Sequence, residues 1–113
     1  MFKSDPINGG LMLVRNLVIA TFPAREGKFE QLKAALIAAL PDTRAFEGCI
    51  SLDVYQEQGT QAFTIVEDWE SFDHYDRYLS WRMDGGLAEL LEELLEGGVS
   101  GFRVQKFDAQ RDI

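Results

Sequence analysis

Apolar residues recur along this chain with two periods, and each change of period marks the edge of an element. From Leu13 to Phe22 the chain is apolar almost throughout and rich in β-branched residues, and Pro23 follows. Such a run predicts a strand largely buried on both faces. Between Glu26 and Leu40 the period lengthens: Phe29, Leu32, Leu36 and Leu40 fall three or four residues apart with alanines between, which predicts a helix stopped by Pro41. Gly48 leads into Ile50 to Gln56, where apolar and polar positions alternate, and the turn Gln58-Gly59-Thr60 separates it from Ala62 to Trp69. Those two stretches predict a hairpin. Ser71 is placed to cap a helix with Phe72, Tyr75, Leu79 and Arg82 on one side, broken at Gly85-Gly86. A second helical run to Glu96 puts Leu87, Leu90, Leu91, Leu94 and Leu95 on a core face, with Glu92, Glu93 and Glu96 in water and Gly97-Gly98 as the stop. Phe102 to Phe107 predicts the last strand.

The order is β-α-β-β-α-β, which predicts an α+β fold of ferredoxin-like type: a four-stranded antiparallel sheet with the helices on one face. In the first strand Leu13, Leu17 and Ile19 oppose Val14, Val18 and Phe22, and in the third Phe63 and Ile65 oppose Val66. A sheet covered on one side but apolar on both needs a partner, and two such sheets meeting in a homodimer satisfy it. At 113 residues one domain is expected, spanning 13–108, with a flexible tail over 1–12 and a short tail over 109–113.

Charge narrows the partners. Ten acids against two bases between Glu67 and Glu96 account for the whole net charge of −8, and the rest of the chain cancels. No basic face is available for phosphates, so neither nucleic acid nor an anionic membrane is expected. The single cysteine, Cys49, has no internal disulfide partner, and it reads as a buried small residue rather than a nucleophile. No run of 18 apolar residues predicts a membrane span, and the first ten residues make a poor secretory signal, so a cytoplasmic location is expected.

Several short pieces then fall in a telling order. Gly27 opens the first helix, Asp42-Thr-Arg-Ala-Phe-Glu-Gly-Cys49 leads into the second strand, Glu67-Asp-Trp-Glu-Ser71 joins the third strand to a helix, and Tyr75-x-x-Tyr78-Leu79 continues it. In this order and spacing the chain resembles the antibiotic biosynthesis monooxygenase family of dimeric α/β barrels. The resemblance implies two sheets pairing as such a barrel. It also implies an activity like that of members that add molecular oxygen to quinols, anthrones and similar polycyclic phenols without metal or flavin. Members of the family often carry a histidine nine residues after the tryptophan, and Tyr78 stands there. In the haem-cleaving branch, an asparagine and a haem-ligating histidine fall at Ala20 and Ala88, and neither alanine can do that work.

The residues agree with a site that uses no metal and no cofactor. One histidine, His74, and one cysteine build neither a two-histidine triad nor a cysteine-rich zinc site within one chain, and no G-x-G-x-x-G follows a strand. Oxygen chemistry on an ionised phenol would need a dry aromatic pocket, a base and donors for the anion. His74, Tyr78 and Arg82 are the candidate catalytic residues; Asn16, Tyr55, Trp69 and Trp81 are the candidates for substrate binding. His74, Tyr78 and Trp81 share a helical face, and His74 is either a base or a solvated group in the first turn. Tyr78 can hydrogen-bond a phenolate but is a poor base at the usual pKa of about 10. Arg82 either steadies an anion or pairs with Asp84 or a nearby glutamate. Asn16 either faces a pocket or is tied to neighbouring backbone, and Trp69 is either a pocket wall or core. The expected function is a cofactor-independent monooxygenase, or close relative, of a quinol-like or polycyclic aromatic molecule. The alternative is a non-catalytic dimer that binds a small hydrophobic ligand.

Overall fold

The computed structural model describes residues 15–113; the predicted N-terminal tail and the Leu13-Val14 end of the predicted first strand lie outside the described residues. The elements are β1 (Asn16–Pro23), α1 (Phe29–Arg44), β2 (Cys49–Gln56), β3 (Ala62–Trp69), α2 (Phe72–Asp84), α3 (Leu87–Leu94) and β4 (Arg103–Asp108), with a 3-10 turn over Gly98–Gly101 before β4. The four strands form one antiparallel sheet in the order β2-β3-β1-β4, and the helices pack on one face of it. This is the ferredoxin-like arrangement. No helix among the described residues is long and apolar enough to cross a membrane.

The two-residue period of the central strands sorts their side chains. On β1, Val18, Ala20 and Phe22 are buried beneath the helices, and on β3 the same holds for Phe63, Ile65, Glu67 and Trp69. Leu17, Ile19 and Thr21, with Thr64, Val66 and Asp68, point the other way. Ile19 sits directly opposite Val66 in the register, and Tyr55 and Phe107 stand on the same open face at 57% and 40% exposure.

Two boundaries differ from the sequence expectation, each for a physical reason. α1 begins at Phe29 and runs through Pro41 to Arg44 rather than stopping at Leu40. Proline at 41 deprives the Ile37 carbonyl of its helical donor, but Ile37 and Pro41 both lie on the solvent side, where water can replace it. α3 ends at Leu94, before the glycine pair, because Leu95 turns extended and bridges to Ala24. Its last carbonyls are taken by Arg25: Nε donates to Glu93 O at 3.1 Å, Nη2 to Glu92 O at 2.9 Å, and the backbone N–H to Leu94 O at 2.8 Å. Leu90 is also not core as expected; it is 39% exposed.

The interior divides into two clusters. One joins Ala20, Phe22, Leu32, Leu40, Ile65 and the α3 leucines Leu91 and Leu94. The other gathers Val18, Trp69, Tyr75 and Tyr78, with Phe46 and Phe72 packed against it. A domain of this size ordinarily builds one continuous core. Here a cavity lies between the two parts.

Candidate active site

The cavity measures about 350 Å³, near the small end of the usual range of small-molecule sites, which runs from roughly 300 to 1,000 Å³. Its floor is the helix-facing side of the sheet at Ala20, Phe22, Ile65 and Glu67. α1 supplies Leu32, Ala35, Leu36 and Ala39 to its walls, α2 supplies Tyr75, Tyr78, Trp81 and Arg82, and α3 supplies Leu87, Leu90 and Leu91. Trp81 and Leu90, 45% and 39% exposed, belong to the lining and also reach solvent, so they mark its mouth.

One wall carries a fixed polar cluster. The extra turn of α1 beyond Pro41 brings Thr43 inside, where its Oγ1 lies 2.7 Å from the Tyr78 hydroxyl. Arg82 Nε donates to the Tyr78 hydroxyl at 3.0 Å, and its Nη2 donates to Thr43 Oγ1 at 3.0 Å and to Ala39 O at 2.6 Å. The guanidinium also lies 4.7 Å from the centre of the Trp81 ring. Arg82 thus binds Tyr78, Thr43 and Ala39 rather than Asp84, and the cluster sets the rotamers of both Tyr78 and Trp81.

The opposite polar feature is a carboxylate. Glu67 is 4% exposed, on the floor of the cavity. Trp69 Nε1 donates to its Oε1 at 2.7 Å, while Oε2 has no hydrogen-bond donor among the described residues. Burial pushes the carboxyl up from 4.5 to about 7, and the indole hydrogen bond offsets only part of that rise. Tyr75, 2% exposed, also lines the cavity, and its hydroxyl has no hydrogen-bonding partner among the described residues. Burial, and then the nearby Glu67 charge, raise the Tyr75 hydroxyl well above the tyrosine range, so it stays protonated and available to donate.

Of the seven residues singled out from the sequence, Tyr78, Trp81 and Arg82 meet at the cavity. Trp69 stands behind the wall, fully buried, with its ring 5.3 Å from Tyr78 and 5.6 Å from Tyr75. His74 is not in the lining. Its Nδ1 lies 2.6 Å from Ser71 Oγ, which also accepts the His74 N–H as the cap of α2, and its Nε2 lies 3.9 Å from the Glu70 carboxylate. Asn16 donates from Nδ2 to Trp69 O at 3.1 Å and Glu70 O at 3.0 Å, which ties it to backbone. Tyr55 lies on the open face of the sheet. The Cys49 thiol is raised to about 11 by burial and, next, by the Glu67 charge, so it remains a protonated thiol.

Sequence reasoning passed over Glu67, Tyr75 and Thr43. The signal for Glu67 was available: it falls in phase with Phe63, Ile65 and Trp69, and the same alternation that buries them buries a carboxylate. Among the described residues no group of three or more His, Cys, Asp and Glu side chains is placed to hold a metal ion.

Residues 16–82 match the family model of the antibiotic biosynthesis monooxygenases. The chain belongs to the antibiotic biosynthesis monooxygenase family. That match spans β1 to α2, and so includes the floor of the cavity and its Tyr75, Tyr78, Trp81 and Arg82 wall. A solved protein of Shewanella oneidensis is 26% identical over 87% of this chain and 93% of its own, with a TM-score of 0.73. One from Mycobacterium tuberculosis is 27% identical over 85% of this chain and 95% of its own, with a TM-score of 0.64. A monooxygenase of Streptomyces coelicolor, solved in complex with nanaomycin D, shares the fold at 18% identity, covering 88% of this chain and 91% of its own with a TM-score of 0.66. No curated protein matches the chain significantly.

Proposed function

We propose that this member of the antibiotic biosynthesis monooxygenase family oxidises a quinol-like or polycyclic aromatic molecule with molecular oxygen, in the cytoplasm, as a homodimer and without a bound cofactor. The observation that carries the reading is the cavity itself, a 350 Å³ space opened between two halves of an otherwise packed core and walled by rings and aliphatic side chains. A stable protein does not leave such a space between its core halves without a use, since each lost contact there costs stability. The S. coelicolor neighbour, solved with nanaomycin D, supports a small organic ligand.

In this reading a flat substrate enters past Trp81 and Leu90 and stacks among the rings. Tyr78 and Arg82, braced by Thr43, hold a substrate oxygen at the polar wall and favour the form that bears negative charge there. An ionised anthrone-type substrate can pass one electron to oxygen and recombine at carbon. Overall a ring methylene and one O₂ become a ring carbonyl and water: one oxygen atom enters carbon, the other leaves as water, and the two C–H bonds supply all four electrons.

An oxygen electrode with a panel of neutral hydroquinones and anthrones tests this. One O₂ should be consumed for each anthrone turned into quinone, above the rate without protein. A panel in which every compound binds and none is turned over faster than in buffer would leave a binding protein.

A further inference from the structure

Resting on that reading, we infer that Glu67 is the base of this site and Tyr75 its anion-holding donor, and that together they select a substrate that enters uncharged. Glu67 and Tyr75 are the two lining side chains whose polar atoms are nine-tenths or more buried and left unpartnered among the described residues. The Trp69 indole fixes one oxygen of the carboxylate and leaves the other open, which orients it in the manner of a general base. Tyr75 is close enough for the Glu67 charge to bear on its hydroxyl, and its ring is held 5.6 Å from Trp69 and 6.0 Å from Tyr78.

The step is a proton transfer. A C–H bond of the central methylene of an anthrone, or the O–H bond of a phenol, breaks; its electron pair stays on the substrate as the enolate or phenolate, and the proton bonds to the open oxygen of Glu67. Tyr75 donates its hydrogen bond to the anion's oxygen. Nothing is oxidised or reduced. The negative charge moves from the carboxylate to the substrate, so the dry cavity holds one negative charge before and after. A substrate that brought its own carboxylate would place two there, and a pair of like charges in such a medium is strongly disfavoured. Asp42 in the same lining adds to that bias, while Arg82 is already engaged with Tyr78, Thr43 and Ala39.

The carboxyl, raised to about 7, is partly ionised at neutral pH and strong enough as a base to be useful there. The ionisable groups facing it are Cys49 from β2, Tyr75, Tyr78 and Arg82 from α2 and Asp42 from α1, with Lys106 of β4 held by Asp76 at 2.7 Å over the Tyr75 ring. Cys49 and Tyr75 are both pushed upward, so neither of them gains or loses a proton near neutrality.

Deuterium exchange at the methylene of anthrone, followed by NMR in D₂O without oxygen, isolates this step. The parent protein should accelerate exchange, with a rate that rises with pH through about 7 as Glu67 ionises. Glu67→Gln keeps an acceptor for Trp69 and should lose about 10²–10⁴ in rate. Tyr75→Phe should lose about 10²–10³, the usual effect of one anion-holding donor. Anthraquinone should bind at least tenfold more tightly than anthraquinone-2-carboxylate. Exchange at the parental rate in Glu67→Gln, a flat pH profile in the parent, binding of anthrone without accelerated exchange, or equal binding of the two quinones would each overturn the inference; the profile serves even if the variant does not fold. Exchange without oxygen uptake in air would leave Glu67 as the base and remove the oxygenation. Uptake that Glu67→Gln leaves intact would do the reverse.

Discussion

The Glu67 carboxyl moves from 4.5 to about 7 on burial, so across that interval the folded protein binds a proton that the unfolded chain has released. Stability is therefore undiminished below pH 4.5, falls as pH rises through the interval, and levels off above about 7. The full shift corresponds to about 3 kcal/mol. Glu67→Gln cannot ionise, so urea unfolding from pH 4 to 8.5 should show the variant gaining on the parent by about 3 kcal/mol as pH rises. A difference that stays constant with pH would mean that the carboxylate is not desolvated. A second residue-scale test concerns His74, whose ring covers Gly48 closely enough that an added Cβ would collide with it, at a backbone φ of +94°. Gly48→Ala should cost about 2–4 kcal/mol in urea unfolding, from a strained backbone and the clash together. His74→Ala in the same chain should recover the steric part and leave about 1–2 kcal/mol. This junction holds the Glu70 N–H to the Gly48 carbonyl at 2.8 Å, and it explains the histidine as a packing residue where β2 meets β3 and α2.

At the scale of elements, the turn of α1 past Pro41 matters most, because it alone carries Thr43 to Tyr78 and Arg82. Thr43→Val keeps the shape, leaves the Tyr78 hydroxyl short of a partner, and should lower stability by about 1–3 kcal/mol in chemical denaturation, with Thr43→Ser restoring most of it. A Thr43→Val protein as stable as the parent would remove that cluster as a brace. The elements themselves were legible because each rests on a local rule: alternation for β2 and β3, a three-to-four spacing for α1 and α3, and a serine cap for α2. Pro41 misled because the cost of proline depends on whether the carbonyl it orphans faces water, and that is a tertiary fact. The α3 stop misled for a similar reason, since Arg25 lies far away in sequence and caps the helix in place of the glycines. In the site, helical spacing brought out Tyr78, Trp81 and Arg82, whereas His74 shares that face yet stops short of the cavity because the first turn of α2 packs over the Gly48 bend. Glu67 stayed hidden because charged residues are ordinarily solvated, and only the register of β3 says otherwise.

At the scale of the whole molecule, the open sheet face sets Ile19 against Val66, beside Leu17, Tyr55 and Phe107. An apolar strip of that kind at the centre of a sheet calls for a second copy, and light scattering should report about twice the chain mass of 12.8 kDa. Val66→Lys should shift the protein to monomer, while a parent already monomeric at micromolar concentration would contradict the paired sheets. The same sheet thus has two uses, with its outer face meeting a partner and its inner face flooring the cavity. Which of the two faces receives the small molecule decides the rest. Crystals soaked with anthraquinone, the product of anthrone oxidation, measure this directly. The electron density is expected between the sheet and α2, with the rings beside Trp81 and Tyr78 and a quinone oxygen within hydrogen-bond reach of Tyr75. Density on the open face beside Tyr55, with the cavity holding only water, would contradict it.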